Sequence, residues 1–140
     1  MFTQILSGLN WLHVFVAAIA YFALGAIWYS PLLFSKPWIK LTNVKVNDPA
    51  AKKAMGLMMF SSFVLMFLCS VGLSILYHII PVLDAVHAIK FGLFFGVSFS
   101  LTSISISFIY ERRPLGLHAI DAGYNILGIT VASLVLVLWK

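Results

Sequence analysis

The chain has 140 residues, 62% hydrophobic and 9% charged, with a mean hydropathy of +1.05 and a formal net charge of +5. Soluble domains carry about a quarter charged residues and bury only about two-thirds of their unfolded surface at this size, so an ordinary water-soluble fold is excluded. The single cysteine, Cys69, lies in the apolar run "FLCSVG" and excludes an intrachain disulfide. The basic residues fall between apolar runs instead of forming a helical stripe, which reads as membrane topology and not as a nucleic-acid surface.

A membrane-crossing helix needs about 20 mostly apolar residues. Four segments qualify, at 9–29, 54–80, 83–110 and 115–139, so the expected fold is an all-α, four-helix transmembrane bundle in one domain. "MFTQILSGLN" has no basic residue ahead of its apolar stretch, and that stretch is too long for a signal core, so an uncleaved first span is expected. The span ends in "GAIWYSPLLFSKPW": Trp28 and Tyr29 suit headgroup depth, Pro31 and Pro37 stop the helix, and Trp38 can return a short segment to the membrane surface. A basic loop, 30–53, follows. Asp48-Pro49 then reads as an N-cap with proline at the first helical position.

Met55, Met58, Met59 and Met66 read as apolar filler on the second span. "IIPVLD", with Asp84 as a cap, makes a tight turn into the third span, and "ERRPLG" does the same before the fourth. The third span contains "SFSLTSISISF", whose alternation resembles a strand. It is assigned as helix because an isolated strand in lipid leaves its backbone unpaired, while Ser and Thr can bond back to the preceding turn. Lys36, Lys40, Lys45, Lys52, Lys53, Arg112 and Arg113 lie on one side of this topology, against Lys90 and Lys140 on the other. That asymmetry predicts a cytoplasmic first and third connection and both termini outside the cytoplasm.

Residues "NWLHVFVAAIAYFALGAIWYSPLLFSKPW", the four short spans and the ending "GYNILGITVASLVLVLW" resemble the domain of unknown function 1761 family of small bacterial membrane proteins. The resemblance covers nearly the whole chain. It implies a four-span architecture and carries no assigned activity and no catalytic residues.

Three residue sets stand out. Ala88, Gly92, Gly96 and Ser100 recur every four residues, continued by Ser103 and Ser107, which predicts a close helix–helix seam inside the protein, with self-association as the alternative. His118, Asp121 and Asn125 share one face of the fourth span at the level of Trp28 and Tyr29, as a structural clamp or as a protonatable lining of a solute route. His13, His78, Asp84, His87 and Lys90 collect near the outer face, where interfacial histidines and a snorkelling lysine explain them better than a metal site.

"AYFALGAI" and "GYNILGIT" share Tyr-x-x-Leu-Gly, which reads as coincidence and not as an internal repeat. With no phosphate loop or nucleophile motif, neither an enzyme nor a cofactor is expected. The expected function is a small-solute or ion transporter, pore or ligand-binding membrane protein. The alternative is a structural or accessory subunit that transports nothing itself.

Overall fold

The computed structural model describes residues 2–82 and 84–139, and all of its regular structure is helical. The turn residue Leu83, expected to begin the third span, and the basic Lys140 lie outside the described residues. Helix α1 (Phe2–Gly8) precedes the first span, α2 (Trp11–Trp28), which is capped by Asn10 accepting from the His13 N–H. The first connection carries a short helix, α3 (Ser35–Thr42), ended by Asn43 in the left-handed region at φ 55°.

The second span, α4 (Pro49–Ile79), starts at the Asp48-Pro49 cap, with the Ala50 N–H donating to Asp48 at 3.0 Å. The third runs through α5 (Ala85–Phe95), a π-helical segment (Gly96–Leu101) and α6 (Thr102–Glu111). The fourth is α7 (Leu115–Leu138). All four spans are long and apolar enough to cross a membrane.

Burial orders the bundle around α7. Of its most apolar window 56% is buried, against 11% for α4 and for the third span. Helix α7 packs along α2 on one side and α5 on the other, and α4 lies mainly against α2. The core is Val14, Ala17, Tyr21, Leu73, Tyr124, Ile129, Ala132 and Leu136. The second and third spans are consecutive yet barely touch. Their rings meet near the turn, Tyr77 to Phe91 at 6.3 Å, and the bundle is open between them beyond that point.

Small residues set the close contacts. A Cβ on Gly92 would sit 2.6 Å from the Thr130 backbone, and one on Gly96 would sit 2.9 Å from that of Ile126. Ala88 is fully buried and its carbonyl accepts from the Ser133 hydroxyl at 2.6 Å. The expected seam is therefore a contact between α5 and α7, but it is shorter than its sequence pattern. Ser100 is only partly buried, and Ser103 and Ser107 are exposed. The π segment is the reason: its wider turn shifts the face that the chain presents, and Ser105, not Ser103 or Ser107, reaches α7 through His118.

The two Tyr-x-x-Leu-Gly stretches meet. Tyr21 of α2 lies over Gly128 of α7, where any Cβ would collide with its ring, and Tyr124 of α7 lies over Gly25 of α2. The two tyrosine rings are 5.5 Å apart. Each helix thus supplies a large ring and the glycine socket that receives the other's ring. The likeness reflects a shared packing task on antiparallel helices.

Candidate functional site

The polar residues at membrane depth gather between α2 and α7. Tyr29, the residue that closes α2, donates its hydroxyl to Asp121 Oδ1 at 2.7 Å. One residue earlier, the Trp28 indole N–H donates to the Ile120 carbonyl at 3.1 Å. A turn deeper, Asn125 accepts from the Tyr21 hydroxyl at 2.9 Å through Oδ1, and its Nδ2 donates to the Asp121 carbonyl at 2.8 Å. Aromatic rings run alongside: Tyr21 to Tyr124, Tyr124 to Tyr29 at 5.3 Å, and Tyr29 to Trp38 of α3 at 5.8 Å. Phe34 packs on Trp28 at 4.6 Å. The carboxylate therefore sits under aromatic cover with its hydroxyl donor in place.

Asp121, Asn125, Trp28 and Tyr29 are brought together. His118 is not joined to them by a hydrogen bond. Its Nε2 meets the Ser105 hydroxyl at 2.8 Å and its ring packs on Phe108, so it serves the contact between α6 and α7. The Arg113 guanidinium lies over the Phe108 ring, 5.3 Å from its centroid, and pairs with Glu111.

An open crevice of about 350 Å³ lies where the second and third spans part. Its wall is formed by Ser62, Leu65, Met66 and Cys69 of α4, Ser100 of the π segment, Tyr21, and Tyr124, Asn125 and Ile129 of α7. Asp121 is not on this wall. The polar groups that are there have spare capacity. Asn125 Nδ2 uses one of its two N–H groups, the Tyr124 hydroxyl has only the Met66 sulfur at 3.6 Å, and Ser100 bonds to no other described side chain.

The expected outer-face set separates. His13 and His78 line a smaller cleft of about 200 Å³ with Asn10, Ser74 and Tyr77. His13 bonds Asn10 at 3.1 Å and stacks on Trp139 at 5.7 Å. Asp84 and His87 instead form an exposed pair at the start of α5: the His87 N–H and Nδ1 both reach Asp84 Oδ1 at 2.9 Å. The His87 backbone N–H, first, holds the Asp84 carboxyl below its ordinary range. Lys90 is exposed. Among the described residues no group of three or more His, Cys, Asp or Glu side chains is placed to share a metal ion.

Sequence reading missed Tyr21, Tyr124, Ser105, Tyr77 and Ser133. Tyr77 and Ser133 are joined by a hydrogen bond between their hydroxyls, which ties α4 to α7. The repeated Tyr-x-x-Leu-Gly stretch was the available signal for the first two. No local signal marks the others, since serines and tyrosines are ordinary in apolar helices.

No curated protein and no solved structure matches the chain. The family described as "Protein of unknown function (DUF1761)" matches residues 12–137, which takes in all four spans, the polar cluster and the crevice, and the chain belongs to that family.

Proposed function

We propose that the protein is a non-enzymatic, ligand-binding membrane protein that holds a small lipid-soluble molecule in the crevice between its second and third spans. The observation that carries this reading is the crevice itself: apolar side chains from α4 and α7 surround a few hydrogen-bonding groups with unused capacity, at Asn125, Tyr124 and Ser100. Such a mixture is typical of small-molecule sites, where a mostly apolar lining fixes the body and a few polar atoms fix the orientation. The opening lies between two helices whose outer surfaces are apolar, so a ligand partitioned into lipid reaches it without crossing water. A π segment beside the wall fits the same reading, because such segments occur disproportionately at functional sites. Asp121 acts here as a clamp through Tyr29. The distribution of Lys and Arg supports a cell membrane orientation with both termini outside the cytoplasm.

The matching ligand has a compact apolar body and one hydroxyl or carbonyl. Photolabelling of the reconstituted protein with 3-azioctanol, a diazirine alcohol, tests this. Adducts are expected on Met66, Cys69 and Tyr124, suppressed by excess unlabelled octanol and by Ser100→Leu, which fills the crevice. Labelling spread evenly over the exposed residues of α4, such as Leu57, Phe60 and Leu68, would overturn it.

A further inference from the structure

The end of the molecule that carries α3 is strongly basic. Seven Lys and Arg side chains belong to the first and third connections and their flanks, against two acidic ones, Asp48 and Glu111. Both acids are engaged: Asp48 caps α4, and Glu111 pairs with Arg113. Lys36, Lys40, Lys45, Lys52 and Lys53 are exposed and make no ion pair with a described residue.

Helix α3 is a built element and not a loose loop. Phe34 N–H donates to the Trp28 carbonyl at 3.0 Å, Trp38 packs on Tyr29, and the Leu41 methyls touch the position where Gly116 lacks a side chain. At about 100° per residue, Phe34, Trp38 and Leu41 share one side of the helix, and Lys36 and Lys40, one turn apart, share the opposite side. The anchoring side holds the lysine pair at the level where α2 ends. Just before α3, Leu32 is 86% exposed and Leu33 48% exposed. Apolar side chains beside paired cations are the signature of an interfacial segment, whose leucines enter the acyl boundary while its lysines meet phosphates. Helix α4 adds to the surface. Its 31 residues span about 46 Å, well beyond a ~30 Å hydrocarbon core, so Lys52 and Lys53 in its first turns have room to stand clear of the acyl chains.

We infer that α3, with Leu32 and Leu33, is an anionic-phospholipid binding surface in which Lys36 and Lys40 hold headgroup phosphates. This is independent of the crevice, which lies deeper and contains neither lysine.

The test titrates the full-length protein in nonionic detergent with dioleoyl phosphatidylglycerol or dioleoyl phosphatidylcholine and counts bound lipid by native mass spectrometry. Phosphatidylglycerol is expected to bind more tightly than phosphatidylcholine. Lys36→Gln with Lys40→Gln should weaken it by about fivefold per lysine while leaving phosphatidylcholine binding unchanged. Lys36→Arg with Lys40→Arg should retain the preference, and so should Lys90→Gln at the opposite end. Equal retention of the two lipids overturns the inference, and so does a preference that survives the double glutamine variant. Displacement of phosphatidylglycerol by millimolar inorganic phosphate would identify a free-phosphate site and also overturn it. Because both lysines are exposed, the variants' thermal unfolding in detergent is expected to match the native chain and serves as the folding control.

Discussion

A carboxylate near the centre of a span costs about 2.5–3.5 kcal/mol on insertion scales, so Asp121 must gain something from its surroundings. It gains a short hydroxyl donor from Tyr29 and a position at the end of α2, near the interface. Asp121→Asn keeps an oxygen that can accept from Tyr29, and is expected to fold and unfold as the native chain does. Tyr29→Phe removes the hydroxyl donor from a half-buried carboxylate, at a cost of about 1–3 kcal/mol. Thermal unfolding of the two variants should therefore separate them, with only Tyr29→Phe lowered. In liposomes, proton and cation flux through Asp121→Asn should equal that of the native chain. A native flux abolished by Asp121→Asn would make the residue part of a route, and the clamp reading would fail. At the exposed start of α5, Asp84 sits below its ordinary carboxylate range, so its contribution is present at neutral pH. That contribution disappears only as pH falls through its lowered folded value, with nothing lost on the alkaline side.

The third span shows how one turn type edits a pattern. Ala88, Gly92 and Gly96 repeat every four residues, and their approach to α7 depends on having no bulk. Through the π segment, an i→i+5 turn shifts the face, and Ser103 and Ser107 leave the row that their spacing implies. Hydroxyls support the transition: Thr102 donates to the Ser98 carbonyl at 2.8 Å and Ser105 to that of Leu101 at 2.6 Å. Gly96→Leu should prise α5 from α7 and lower the unfolding temperature, as overpacking costs about 1–3 kcal/mol or more. Ser107→Leu, on an exposed position, should leave it unchanged. Equal effects of the two substitutions in detergent would contradict the shifted register. Helices α2 and α7 solve their contact differently, with each tyrosine seated over the other's glycine.

At the scale of the molecule, His13 stacked on Trp139 places the start of the first span beside the end of the fourth. Reporters fused at the two termini should therefore report the same side of the membrane, and opposite sides would contradict the arrangement. The external side is expected from the charge asymmetry.

The four long apolar helices, the Asp48 and Asp84 caps and the shared level of Asp121, Trp28 and Tyr29 were legible in the amino-acid order, because hydropathy, capping and interface chemistry act over one or two turns. The partners of His118, the tyrosine–glycine sockets and the parting of the second and third spans were not. They depend on which helix faces which, and in lipid that is decided by fine packing and not by a hydrophobic pattern, since lipid and apolar side chains are equally oily. The order of residues by itself determined which four stretches form helices long and apolar enough to cross a membrane. The tertiary structure alone decided that α7 stands at the centre and that a crevice remains beside it, because small residues let two helices close on α7 while nothing comparable draws α4 onto the third span.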